Sequence, residues 1–117
     1  FASAFEKRSS AFFGKGLVFN KFTGSRGKNG SNDANAEYLA QIRKVMDEAE
    51  VGYQYAELGK VDVGGGGTIA YIMAQYGMEV IDSGVAVLCM HALYEISSKA
   101  DVYEAVKGYK AFIEKIG

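Results

Sequence analysis

The chain has 117 residues, of which 49% are hydrophobic, and 13 basic against 14 acidic side chains give it a formal charge of −1. That length allows one domain or part of one, with enough apolar material for a core. The balanced charge argues against a nucleic-acid footprint or an anionic-membrane patch, no apolar run approaches the ~18 residues that span a bilayer, and the lone Cys89 excludes an internal disulfide framework and fits a reducing, cytoplasmic compartment.

The chain opens at Phe1 with no hydrophobic leader segment after Glu6, Lys7 and Arg8. It contains no proline, where average usage of about 5% predicts roughly six. These features read as a start inside a longer polypeptide; a trimmed piece of a complete small protein is the alternative. Residues 1–15 are mixed and helical at first. The β-branched and aromatic content of Gly16 to Phe22 predicts a strand. Thr23 to Asp33 is a polar, glycine-rich loop, and its Asn32 or Asp33 can cap the helix that follows.

From Ala34 to Glu50, Tyr38, Leu39, Ile42, Val45, Met46 and Ala49 recur at helical spacing. Val51 to Leu58 reads as a strand. Four glycines, Gly64 to Gly67, then open a helix with Ile69, Ile72, Met73 and Tyr76 on one face, and Gly77 is placed to end it. Gly77 to Met90 supplies one or two strands, split at Ser83–Gly84. Ser98 and Asp101 make a capping-box-like start for a last helix with Val102, Val106, Tyr109, Ile113 and Ile116 as its stripe. The fold class expected is α/β, a layered sheet flanked by helices. Helices are predicted near 34–49, 67–76 and 99–115, and strands near 16–22, 52–57 and 85–90 are predicted to share one sheet.

Candidate chemistry is sparse. Gly65, Gly67 and Ala70, with Asp82 beyond them, satisfy a loose dinucleotide fingerprint, so a small nucleotide-binding or regulatory domain is one reading. A backbone cradle for a substrate is another, and a tight structural turn is a third. No Gly–Lys pair meets the P-loop pattern. His91, the only histidine, is either a structural residue or a ligand at a strand end, with Glu95 four residues on to orient its imidazole. Cys89 reads as a small buried apolar residue. The cations Lys21, Arg26 and Lys28 suit a solvated loop or carboxylate recognition.

Taken together, the stretches FEKRSSAFFGKGLVFNKFTGSRGKNGSNDANAEY, ELGKVDVGGGGTIA, GMEVIDSGVAVLCMHALYE and SSKADVYEAVKGYKAFIE resemble the C-terminal portion of the aspartyl aminopeptidase / aminopeptidase I family of zinc exopeptidases. The resemblance covers essentially all of residues 1–117. It implies a C-terminal segment of a catalytic domain that hydrolyses N-terminal residues from peptides at a two-zinc site. It further implies His91 of the Met90–His91 pair as one metal ligand, and Lys21 with Gly66, Gly67, Thr68 and Met90 in the substrate pocket. The family's His-x-Asp motif, bridging Asp and Glu–Glu pair have no counterpart here, so the remainder of the catalytic domain is an implied partner, and the isolated chain is expected to be inactive. A homo-oligomer is implied for the complete protein. Ala92–Leu93–Tyr94 departs from the Ser–Pro-containing run common in the family, and Cys89 sits where serine is common.

Overall fold

A computed structural model describes residues 10–23, 32–57 and 69–116. The elements in chain order are β1 (Leu17–Asn20), β2 (Phe22–Thr23), β3 (Asn32–Asp33), α1 (Ala36–Glu48), β4 (Tyr53–Ala56), α2 (Ala70–Ala74), β5 (Asp82–Gly84), β6 (Val87–Leu88), β7 (Ile96–Ser97) and α3 (Lys99–Lys115). The fold is α/β, as expected.

β1 is the centre of a three-stranded sheet of order β4-β1-β5. It runs parallel to β4, with Leu17 opposite Tyr53 and Asn20 opposite Ala56, and antiparallel to β5, with Val18 opposite Gly84. Parallel neighbours need a crossover, and α1 provides it. Because β1 is covered on both faces, Leu17, Val18 and Phe19 are all buried. Leu17 and Phe19 join Ile42, Val45 and Met46 of α1, Val51, and Ala105 and Ala111 of α3 in the main core. Val18 points the other way and meets Ala56 and Ala86.

α1 forms as its periodicity predicts. Asn35 rather than Asn32 or Asp33 is its N-cap: the side-chain oxygen accepts the Tyr38 N–H at 2.7 Å. At the other end Glu50 takes a left-handed φ of 57°. Its N–H reaches the Asp47 carbonyl, and the Val51 N–H reaches the Met46 carbonyl at 2.9 Å, a Schellman closure. Two close approaches then fix α3 and β1. At Gly108 an added Cβ would lie 2.5 Å from Leu17 Cδ2, so only glycine lets the helix settle on the strand. At Gly16, with φ +94°, a Cβ would lie 2.2 Å from the Gly52 carbonyl oxygen.

Four expectations are corrected. The third strand of the sheet is β5, not residues 85–90. Antiparallel pairing on β1 ends at Val18–Gly84: only Leu17 of β1 remains before Gly16, whose φ of 94° departs from a strand and whose N–H is held by Asp101 at 2.9 Å. The chain therefore leaves the sheet after Gly84, and Val87–Leu88 pairs instead with Ile96–Ser97 as a separate hairpin. The apolar stripe of α3 is not its core face: Val102, Val106, Tyr109 and Ile113 are exposed, and Asp101, Ala105, Gly108 and Ala111 are buried. Asp101 does not complete a capping box. Its fully buried carboxylate accepts the backbone N–H groups of Gly14 and Gly16. The second helix spans Ala70–Ala74, shorter than 67–76, and Gly77 follows it with φ 78°. Residues 24–31 of the glycine-rich loop lie outside the described residues, but its ends pair as the β2–β3 hairpin. The helical reading of the first residues also lies mostly outside them.

Candidate functional site

Lys21 stands in the turn that joins β1 to β2, at the carboxyl end of the parallel β1–β4 pair. That end of a parallel sheet is where α/β folds commonly bind ligands. Its carbonyl accepts the Ala34 N–H at 2.8 Å, and its ammonium pairs with the Asp33 carboxylate of β3. Both side chains are about half exposed. The sequence suggested Asp33 as a helix cap; the short hairpin instead turns its carboxylate toward Lys21.

The neighbourhood of this pair is built from three segments. α2 packs on β3, so the helix that follows the run of four glycines in the sequence lies beside Asp33. The Asn35 amide donates to the Glu79 carboxylate, tying the start of α1 to the segment after α2. Tyr38 is partly buried here, and burial together with the Glu79 charge raises its pKa above the ordinary phenol value. Gly66, Gly67 and Thr68 lie outside the described residues, as do Gly65 and Gly67 of the loose dinucleotide fingerprint. Asp82 of that fingerprint lies in β5, antiparallel to β1, and not at the end of the second strand of a βαβ unit, where the fingerprint requires it.

Met90 and His91 occupy the turn between β6 and β7. Every residue from Leu88 to Ser97 is exposed. His91 therefore does not close an apolar strand of the main sheet. Cys89 and His91 both have left-handed backbones, with φ of 59° and 70°. The Ala92 N–H bonds the Cys89 carbonyl at 3.0 Å, and the His91 N–H bonds the Glu95 carboxylate. Glu95 thus holds the backbone of His91 rather than its imidazole. Neither ring nitrogen has a hydrogen-bond partner among the described residues. Cys89 is a free, exposed thiol and not a buried apolar residue.

The described residues include no group of three or more His, Cys, Asp or Glu side chains able to hold a metal ion. One unpartnered imidazole fits one coordination position of a zinc centre and no more. No hydrogen bond or ion pair among the described residues links Lys21 to Met90 or His91. Three polar contacts that sequence reasoning missed shape the surrounding frame. Gln54 bonds the backbone of Phe12 through both its amide atoms at 3.0 Å. Asp101 grips Gly14 and Gly16. Lys107 donates to the Glu50 carbonyl at 3.1 Å. A glutamine between two tyrosines in a strand was the one visible signal of the first.

Residues 1–113 match the family described as aminopeptidase I zinc metalloprotease (M18). A Clostridium acetobutylicum protein named "Probable M18 family aminopeptidase 1" is 64% identical over 113 residues, which are 97% of this chain and 24% of that protein. The crystal structure of aminopeptidase I from the same organism superposes with a TM-score of 0.88 at 64% identity, over 96% of this chain and 25% of that one. An M18 family aminopeptidase structure from Thermotoga maritima gives a TM-score of 0.90 at 47% identity, over 98% and 26%. The chain spans about a quarter of the length of the curated relatives it matches. No helix among the described residues is long and apolar enough to cross a membrane.

Proposed function

Because this chain belongs to the aminopeptidase I zinc metalloprotease (M18) family, we propose that it forms a C-terminal segment of the catalytic domain of a zinc aminopeptidase that removes N-terminal residues from peptides. The observation that carries this reading is the family match through residue 113, which includes the Met90–His91 pair. The nucleotide-binding alternative loses its support to the same match.

His91 supplies one ligand to a two-zinc centre, and polypeptide outside this chain supplies the others. Zinc held by His91 together with those ligands would supply Lewis-acid polarisation of a carbonyl and a bound water of lowered pKa. The chain's own residues bind and orient. The exposed, unpartnered imidazole of His91 is free to coordinate, and the bond from its backbone N–H to Glu95 holds the turn that carries it. Met90 beside it supplies apolar contact to the substrate. Lys21 meets the substrate's side chain, and Gly66, Gly67 and Thr68 line the same pocket with backbone donors.

Magnitudes favour an exchangeable Lys21. A solvent-exposed ion pair such as Lys21–Asp33 contributes about 0–1 kcal/mol. A charge-assisted bond to an acidic substrate side chain contributes about 1.5–3 kcal/mol where the bound substrate shields the ammonium from water. Such a substrate therefore displaces Asp33. The complete protein works as a homo-oligomer in the cytoplasm, where a free exposed thiol at Cys89 persists reduced. An aminopeptidase assay of the complete protein across acidic and neutral N-terminal residues, with and without a chelator, tests the reading. Chelator-sensitive release of N-terminal residues supports it, and no release from any peptide rejects it.

A further inference from the structure

α3 is apolar on two sides. Its inner side is small and packs on β1 and α1 through Ala105, Gly108 and Ala111. Its outer side is large. Val102, Val106, Tyr109 and Ile113 are 45%, 64%, 44% and 69% exposed. They recur at i, i+4, i+7 and i+11, so they form one continuous stripe roughly 16 Å long rather than scattered surface residues. The polar contacts of the helix leave this stripe alone: Lys107 pairs with Glu104 at 3.4 Å and reaches back to the Glu50 carbonyl. The two sets are offset by one position, about 100° around the helix, so the apolar surface is wider than the single stripe that packing on β1 and α1 uses.

We propose that the outer face of α3 is a buried internal interface of the complete peptidase, covered by polypeptide from the three quarters of the protein that this segment does not span. The proposal rests on the family reading above and names the surface through which the rest of the protein docks. The relatives' length argues for this occupant, since this chain matches only 24% of the Clostridium protein. Size argues against a second copy of this chain. Four side chains, each about half exposed, present well under the ~800 Å² per partner that a stable pair buries.

The test is made in the complete protein. Glutamine is a better helix former than valine or isoleucine, so Val106→Gln with Ile113→Gln changes polarity without weakening the helix. The expected result is a fall in Tm of roughly 5 °C or more with unchanged oligomeric state. A Tm within about 1 °C of wild type overturns the proposal, because surface changes have effects that small. Loss of an oligomer together with the fall in Tm assigns the face to a second copy and also overturns it. Should the double variant fail to fold, Val106→Cys serves instead. Its thiol should label at least a hundredfold more slowly in the folded protein than in urea, in a Cys89→Ser background, and fast labelling of the folded protein counts against the interface. The peptidase reading is judged separately by aminopeptidase assay of the wild-type protein. Absence of activity removes that reading while the Tm and labelling results still decide the interface.

Discussion

Asp101 ties two distant parts of the chain together with one carboxylate. It is 1% exposed and accepts N–H groups at 3.0 and 2.9 Å from Gly14 and Gly16, more than eighty residues away. Removing it leaves the buried Gly16 N–H and the part-buried Gly14 N–H without their acceptor. Asp101→Ala should therefore cost about 2–4 kcal/mol in denaturant unfolding. Asp101→Asn should cost less, because an amide oxygen still accepts one bond. Equal stability of all three forms would contradict this role. The Asp was visible in the sequence, but only as a helix-start residue, since a bond across the whole chain leaves no local pattern. Lys21 was legible as a candidate cation; its partner Asp33 was not, because the β2–β3 pairing that unites them spans a long polar loop. For Lys21 the expected outcome in the complete enzyme is selective. Lys21→Ala should lower kcat/KM roughly ten- to a hundredfold on acidic N-terminal residues and leave neutral ones nearly unchanged. Equal losses on both would remove the specificity role.

Among the elements, α1 followed its periodicity closely: Ile42, Val45 and Met46 are buried as the spacing predicts. Its C-terminal closure holds a strained residue. Glu50 takes the left-handed conformation that favours glycine. Because Lys107 bonds the Glu50 carbonyl and not its side chain, Glu50→Gly should keep that bond and raise stability by about 0.5–1 kcal/mol. Thermal unfolding checks this, and a destabilised variant would show that the side chain matters. α3 shows where periodicity misleads. Its stripe of large apolar residues is not its core face; the small residues pack inward, where Gly108 admits Leu17. A pattern of large side chains shows that a face is apolar but not which neighbour it meets. The β6–β7 hairpin escaped the reading for a related reason. Val85 to Leu88 is apolar enough for a sheet strand, yet beyond Val18 only Leu17 of β1 remains, too little for a longer strand to pair with. For the turn of that hairpin, Glu95→Ala should speed exchange of the His91 amide in nuclear magnetic resonance, while Glu95→Gln, which keeps an acceptor, should restore much of the protection. Unchanged exchange in Glu95→Ala would show that the carboxylate does not hold the turn.

At the scale of the whole molecule, the chain is an α/β unit with one main core and a broad apolar exterior. The α/β class was legible from alternating strand and helix patterns, and the family from four ordered stretches of sequence. Of the proposed zinc site only His91 has a counterpart in the sequence, which carries no His-x-Asp motif and no Glu–Glu pair. The central claim is that His91 completes a zinc centre in the full protein. Metal analysis and peptide hydrolysis on the same preparations of wild type and His91→Ala test it most directly. The account expects His91→Ala to lose zinc and nearly all turnover while its circular dichroism stays native. Full zinc content and near-normal turnover in His91→Ala would contradict it.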